Sequence, residues 1–236
     1  MTPRWLPLLL AGAAMCPSAR AEMDRVDLMR IGASVLRVEA ARLSGGFALG
    51  SAVVVGDGLA VTNCHVTREA RAVDLVRGGV RWHVRAQAAD VEHDLCLLRA
   101  EGLPMPAVAL GPAEELQRGQ QLTALGFTGG VLLQNSPGEV IGLYRLDGAP
   151  VVQTSSRFSS GASGGGLFDA AGRLVGILTF RQRGGAYFAA PSEWLRRLID
   201  ADAFHDIAPL PAGTAAYWER PQASQPSFLR QLNEAE

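Results

Sequence analysis

Short apolar runs separated by glycine-rich turns limit the folds open to this chain more than any other feature. Runs at 35–40, 47–55 and 59–62 are rich in valine, alanine and leucine, and Gly45-Gly46 and Gly56-Asp57-Gly58 separate them. Asp-Gly between apolar runs is a hairpin signal. Further strand-like runs occur at 73–77, 80–88, 95–99, 121–127, 131–135, 139–145, 151–154, 166–169, 173–181 and 186–190. The pattern predicts an all-β fold.

Helical spacing is convincing in one late segment, residues 191–203. Pro191 suits a first turn and Ser192 suits an N-cap. An apolar stripe at helical spacing follows, formed by Trp194, Leu195, Leu198 and Ile199. Residues 24–33 predict one or two helical turns before the first strand. The last residues, 206–236, hold four prolines and few β-branched residues, which predicts a tail that wraps the surface or is partly disordered.

Composition narrows the function classes. The chain has 236 residues, enough for one or two domains, and 48% hydrophobic residues, enough for a sizeable core. Its net charge of −1 gives no hint of nucleic acid or of an acidic surface as a partner. All 22 basic residues are arginines, which excludes a Ser–Lys dyad and a lysine Schiff base. No C-x-x-C or H-x-x-x-H spacing occurs, so we expect neither a metal site nor a cofactor.

The first 21 residues, 1–21, have the layout of a secretory signal peptide. Arg4 supplies the positive start, residues 5–15 are apolar, and Ala19-Arg20-Ala21 forms a cleavage site. The apolar stretch is too short to span a membrane. Lipidation at Cys16 stays open as an alternative, although the residue before it is not small. The sequence predicts a periplasmic or secreted protein.

A serine surrounded by glycines carries the chemistry, within Ser160-Gly161-Ala162-Ser163-Gly164-Gly165-Gly166-Leu167-Phe168. Glycines let the backbone fold tightly, so that two N–H groups can hold a developing negative charge while the serine attacks. A glycine-rich hairpin with an incidental serine explains the same stretch. The G-x-S-x-G elbow of α/β-hydrolases also fits, but three glycines begin a helix poorly and only His205 follows the serine.

Two upstream segments supply the partners that a serine nucleophile needs. Residues 60–66 end in Thr-Asn-Cys-His-Val and contain His65, and residues 93–98 contain Asp94. An imidazole is the usual base at neutral pH, and a buried carboxylate fixes its tautomer. His65, Asp94 and Ser163 in this order resemble the trypsin-like serine peptidases. The likeness is to the bacterial branch that includes the HtrA/Deg proteases, and it covers roughly residues 34 to 200.

The resemblance implies two packed antiparallel six-stranded β-barrels, a C-terminal helix and an active site in the cleft between the barrels. It divides the chain into a barrel at 22–115 that carries His65 and Asp94, and a barrel at 116–205 that carries Ser163 and the helix. The tail at 206–236 is too short for the PDZ domain that often follows in this family.

The resemblance also implies a serine endopeptidase that acts on polypeptides. Ser163 is the expected nucleophile, His65 the base and Asp94 its partner, while the N–H groups of Gly161 and Ser163 form the oxyanion hole. The alternative is a peptide-binding protein with weak or lost catalysis, because Gly166 stands where proline is usual and adds backbone freedom. Ala162 replaces the aspartate of digestive relatives, so we expect no zymogen cleavage of their kind.

Specificity follows from the resemblance less directly. The residue six before the serine, Arg157, lies in the family at the base of the pocket for the side chain before the cut. It could pair there with an acidic side chain, or it could point to solvent. The strand with Leu178, Thr179 and Phe180 is expected to line the cleft and to pair with the substrate backbone.

Removal of the signal peptide would leave two cysteines, Cys64 beside His65 and Cys96 two residues after Asp94. If His65 contacts Asp94, these cysteines must be near neighbours. We expect a disulfide that joins the two catalytic segments, since an exported compartment permits disulfides. Two buried free thiols are the alternative, because cysteine packs well as a small apolar residue.

Overall fold

The chain folds into two β-barrels in this computed structural model, which describes residues 23–182, 184–211 and 213–234. The first barrel contains β1 (Val35–Arg42), β2 (Phe47–Gly56), β3 (Leu59–Thr62), β4 (Ala70–Arg77), β5 (Val80–Asp90) and β6 (Leu95–Ala100). The second contains β7 (Gln121–Thr128), β8 (Leu132–Leu146), β9 (Ala149–Thr154), β10 (Gly166–Asp169), β11 (Leu174–Arg181) and β12 (Tyr187–Pro191). The predicted signal peptide, with Cys16, lies outside the described residues.

Each barrel closes through antiparallel pairs. The first runs β1-β2-β3-β6-β5-β4 and closes because β4 pairs with β1; the second runs β7-β8-β9-β12-β11-β10. A two-residue strand, β13 (His205–Asp206), adds to β5 from outside. The predicted all-β fold with two six-stranded antiparallel barrels is therefore confirmed.

Four α-helices lie in the described part of the chain: α1 (Arg25–Ala33), α2 (Cys64–Thr67), α3 (Ser192–Ala201) and α4 (Ser227–Glu234). The predicted late helix is α3, but its N-cap residue is Pro191, and Ser192 lies inside the helix, where its Oγ donates to Gly111 O at 2.5 Å. The tail is more ordered than its composition suggested. It forms α4 and buries Tyr217 and Phe228, because these aromatic side chains pack into the same apolar core as the barrels.

The two cysteines form a disulfide between the start of α2 and β6. Cys64 and Cys96 are fully buried, their Cα atoms are 4.9 Å apart, and 32 residues separate them in sequence. Thr62, the last residue of β3, pairs with Cys96 on β6, so the disulfide lies at this end of the β3–β6 ladder. It fixes the segment that contains His65 to the strand that follows Asp94.

Breaking this disulfide is expected to lower the free energy of unfolding by about 4 kcal/mol, because a closed loop of this length restricts the unfolded chain. We expect the urea midpoint of the wild type to fall on reduction. The Cys64→Ser, Cys96→Ser double variant should start at the lower midpoint and not respond to the reductant. Two free thiols in the unreduced, denatured protein would contradict the disulfide.

Candidate active site

His65 and Asp94 meet where two connections of the first barrel come together. His65 lies in α2, directly after β3, and Asp94 lies in the turn between β5 and β6. His65 Nδ1 is 2.6 Å from Asp94 Oδ2, and the His65 backbone N–H donates to Asp94 Oδ1 at 2.8 Å. Asp94 is fully buried, while the His65 side chain is 24% exposed. Both carboxylate oxygens are therefore bound to the same histidine.

The backbone of Asp94 is fixed as firmly as its side chain. Its φ of 59° is left-handed, a conformation that aspartate adopts more readily than most residues. Its carbonyl accepts from Asn63 Nδ2 at 2.9 Å and from the Cys64 N–H at 3.3 Å. Its N–H donates to Val91 O at 3.2 Å. The chain around the disulfide thus holds the carboxylate against the imidazole.

The carboxylate also selects the histidine tautomer. Because Nδ1 faces Asp94 Oδ2, the hydrogen-bond network assigns the proton to Nδ1. The other nitrogen, Nε2, then carries a lone pair and can accept a proton. This is the state that a general base requires.

The serine loop is held by its carbonyl groups. Five consecutive carbonyls each accept a hydrogen bond: Ser159 from Ala162 N (3.0 Å), Ser160 from Gly129 N (2.7 Å), Gly161 from Ser51 Oγ (2.7 Å), Ala162 from Gly165 N (2.8 Å) and Ser163 from Ser51 N (2.8 Å). A trans peptide directs its N–H opposite to its C=O. The N–H groups of Gly161 and Ser163 therefore point away from Gly129 and Gly165, and neither donates to another described residue.

Ser51 on β2 joins this loop to both barrels. It is fully buried, its N–H donates to Ser163 O, and its Oγ donates to Gly161 O and accepts from the Phe127 N–H at 2.8 Å. Its carbonyl accepts from Thr62 Oγ1 at 2.7 Å, two residues before Cys64. One buried serine therefore contacts the serine loop, the strand before His65, and β7 of the second barrel. Its sequence context, a serine after Gly50 in an apolar run, gave no sign of this role.

Four glycines of the loop, at positions 161, 164, 165 and 166, have no space for a side chain. Gly164 has a φ of +84°, and a Cβ there would lie 2.1 Å from Ser51 O. A Cβ on Gly166 would lie 2.3 Å from the Phe168 ring. Gly166 pairs with Ile177 and begins β10, so the residue that replaces the usual proline lies in a paired strand.

A cavity of about 350 Å³ opens beside Ser163. Its described lining consists of Phe158, Ser159, Ser160, Ser163, Thr179, Phe180 and Arg181. The structure thus brings Thr179 and Phe180 to the serine, as expected for substrate-binding residues. Leu178 is buried behind them, and its backbone bonds to Gly164 and Gly165.

Arg157 lies outside this cavity. It is exposed, and its backbone N–H donates to Ser136 Oγ at 2.9 Å. The arginine that borders the cavity is Arg181, at the end of β11. Counting six residues back from the serine locates Arg157 in sequence, but the turn at 155–160 carries it away from the cavity.

His93, the residue before Asp94, links the two barrels. Its Nδ1 lies 2.6 Å from Asp90 Oδ2, its Nε2 lies 3.1 Å from Asp147 Oδ2, and its ring packs on Trp194 at 4.0 Å. Burial lowers the pKa of His93. Asp90 and Asp147 together raise this pKa by a larger amount, so the net shift is upward. The protonated ring can therefore bond to both barrels beside the buried Asp94.

Two aromatic residues of the tail belong to the site, and the sequence reading missed them. Tyr217 is 1% exposed, and burial, with a smaller effect from the charge of Asp94, raises its pKa well above the usual value. The ring of Trp218 lies 5.7 Å from that of His65. A proline-containing tail shows no period, so the one available signal was an adjacent aromatic pair in a polar segment.

Among the described residues, no group of three or more histidine, cysteine, aspartate or glutamate side chains could hold a metal ion. In the same ranges, no helix is both long and apolar enough to cross a membrane.

Comparison with known sequences agrees with this geometry. The profile of the family described as "Trypsin-like peptidase domain" matches residues 50–177, more than half of the chain. The Bos taurus protein "Serine protease HTR4" is 31% identical over 158 residues, which cover 62% of this chain and 32% of that protein. The chain spans about a third of the length of the curated relatives that it matches.

Solved structures share the fold. The structure described as "HtrA-type protease AlgW with tripeptide" has a TM-score of 0.68 at 27% identity, covering 74% of this chain and 62% of that one. Deg5 has a TM-score of 0.63 at 27% identity, covering 73% of this chain and 90% of its own.

Proposed function

Because the chain belongs to the trypsin-like peptidase family, we propose that it is a serine endopeptidase that cleaves polypeptides through an acyl-enzyme. One observation carries the proposal: the His65 ring is bonded to the buried Asp94, and Ser51 docks the Ser163 loop against the strand that leads to His65. These contacts support a site at which three distant segments of the chain come together.

The proposed reaction has two halves. Ser163 Oγ attacks the peptide carbonyl, His65 Nε2 takes the hydroxyl proton, and the same nitrogen then protonates the leaving amine. Water repeats the attack on the acyl-enzyme with His65 again as base. Asp94 keeps the proton on Nδ1 and stabilises the imidazolium that forms in each half.

The N–H groups of Gly161 and Ser163 would bind the oxyanion. Support comes from the loop carbonyls: each one accepts a hydrogen bond elsewhere, and the N–H groups of Gly161 and Ser163 have no acceptor among the described residues. Donors fixed before the substrate arrives need no reorganisation during the reaction, which makes their contribution large.

Burial strengthens the interaction between His65 and Asp94. Asp94 is fully buried, and Tyr217, whose pKa is raised by burial, stays neutral beside it. Charged groups make stronger hydrogen bonds where water is excluded, so the buried carboxylate holds the His65 ring and its backbone N–H firmly in place.

The substrate would lie along β11. Strand β10 begins at Gly166, opposite Ile177, and the loop residues Gly164 and Gly165 bond to Leu178. Beyond that point the edge of β11 at Thr179, Phe180 and Arg181 borders the cavity beside Ser163. A peptide could add to this edge as a further strand, with the side chain before the cut in the cavity of about 350 Å³.

We also propose that the protein acts in an exported compartment, periplasmic or secreted. The signal-peptide pattern at 1–21 and the disulfide beside both catalytic segments support this, since such bonds persist in oxidising surroundings.

A fluorophosphonate probe tests the proposed nucleophile directly. Digestion after arginine gives a peptide of residues 158–173, in which fragmentation separates Ser163 from Ser159 and Ser160. We expect one adduct, on Ser163, and none in the heat-denatured protein, because only the folded site activates the hydroxyl. A folded chain that binds peptides but forms no adduct would favour the peptide-binding alternative. An adduct that forms equally after denaturation would contradict activation by His65.

A further inference from the structure

The C-terminal segment, here residues 213–234, is anchored beside both His65 and Asp94. Tyr217 N donates to Glu92 O at 3.0 Å, and Arg220 forms an ion pair with the Glu92 carboxylate, two residues before Asp94. Glu219 forms an ion pair with Arg68, three residues after His65, at 2.5 Å. The first barrel therefore holds this segment at the two places where the catalytic residues arise.

The second barrel holds the same segment through aromatic contacts. Trp218 stacks on Phe180 with ring centroids 5.0 Å apart and an interplanar angle of 10°, and Phe228 stacks on Tyr144 at 4.8 Å and 18°. Tyr217 is buried in the core that both barrels share. A segment fixed to both barrels in this way is a permanent wall of the cleft.

Trp218 is the residue of this wall that touches the proposed catalytic machinery. Its ring meets the ring of His65 at 87°, with centroids 5.7 Å apart, which is an edge-to-face contact. The Trp218 ring also stacks on Phe180, which borders the cavity of Ser163. Rings at this separation are in contact, so no side chain fits between His65 and Trp218.

The proposed substrate path leads past Trp218. A second cavity, of about 580 Å³, shares Phe180 and Arg181 with the cavity beside Ser163. The remaining described lining of the second cavity comprises Gln182, Trp218, Gln222, Gln225, Leu229 and Asn233. A peptide extended along β11 from Ser163 would therefore enter a groove whose outer side is built by the C-terminal segment.

The period of a β-strand decides which substrate residue meets Trp218. Successive side chains of an extended peptide point to opposite faces. If the residue before the cut fills the cavity of Ser163, the second residue before the cut points to the opposite side, toward His65 and Trp218. We propose that Trp218 sets specificity at this second position by excluding large side chains. This inference rests on the proposed function.

The wild type should accordingly prefer glycine or alanine at the second position. Trp218 cannot move aside without losing its stacking on Phe180, so a bulky substrate residue meets a steric barrier. Discrimination by a shaped apolar pocket is commonly of the order of 10-fold to 200-fold in kcat/KM. We expect alanine at this position to be favoured over phenylalanine by at least about 10-fold on that basis.

The test compares otherwise identical peptide substrates with Ala, Leu or Phe at the second position before the cut. Trp218→Ala should raise kcat/KM for the Leu and Phe substrates about 10-fold relative to kcat/KM for the Ala substrate. Trp218→Phe should give a ratio between those of the wild type and Trp218→Ala. Trp82→Ala on β5 is the matched control, because Trp82 packs against the separate core of the first barrel. It should leave the ratio unchanged. Thermal melts verify that each variant is folded.

The outcomes separate the two proposals. A wild type that takes Phe as readily as Ala, or a ratio that Trp218→Ala leaves unchanged, overturns the role of Trp218 while the fluorophosphonate adduct on Ser163 still stands. Absence of the adduct, together with absence of cleavage of every substrate, overturns both.

Discussion

Replacing Ser163 by alanine is expected to lower kcat by about 10⁴-fold to 10⁶-fold, because no other group can form the acyl-enzyme. The loop itself should persist, since its hydrogen bonds to Ser51 are made by the backbone of Gly161 and Ser163. The thermal midpoint should therefore stay close to that of the wild type. Cleavage of a fluorogenic peptide and thermal melting measure the two quantities.

Ser44→Ala is the matched control for this substitution, because Ser44 is exposed in the β1–β2 turn. We expect it to leave both kcat and the midpoint unchanged. Full activity of Ser163→Ala would show that the nucleophile lies elsewhere. A large fall in its thermal midpoint would show instead that the hydroxyl is structural.

Replacing Asp94 by asparagine is expected to lower kcat by about 10⁴-fold, as wrong-tautomer variants of such triads do. The asparagine carbonyl oxygen can still accept from the His65 N–H, which turns its NH₂ group toward Nδ1. Nδ1 must then be an acceptor, so Nε2 carries the proton and cannot act as a base. The rate of fluorophosphonate labelling should fall with kcat, because both need a deprotonated Ser163.

The chain offers a matched control for this change in its other histidine–aspartate contacts. Asp74 lies 3.0 Å from the exposed His83 on the surface of the first barrel. Asp74→Asn makes the same chemical substitution in a solvated pair, and we expect no effect on kcat. If Asp94→Asn retained activity within tenfold of the wild type, the tautomer argument would be wrong.

Much of the fold could be predicted because its strands are short and its turns contain glycine. The clearest error was at β8, which the sequence divides into two runs around Pro137 and Gly138. The structure has one strand of 15 residues whose first half pairs with β7 and whose second half pairs with β9. Proline weakens a strand pattern, but here the strand changes partner near Pro137 and continues around the barrel.

The three proposed catalytic residues could be picked out because each lies in a short motif with its own chemistry. Ser51 could not, because its role depends on contacts with residues 11 to 112 positions away in sequence. Trp218 could not either, since nothing in a tail of mixed composition shows which barrel it docks against. For Arg157 the sequence instead predicted a place in the pocket, whereas the residue lies outside it. A count of residues back from the serine does not give the direction in which a loop points.

The hydrogen bonds of Ser51 couple the positions of the two barrels and the serine loop. Its hydroxyl bonds to Gly161 and Phe127, its N–H bonds to Ser163, and its carbonyl bonds to Thr62. Any sliding of one barrel against the other would break several of these bonds at once. Barrel docking and the shape of the loop should therefore be lost in a single cooperative step, without an intermediate that keeps one and lacks the other.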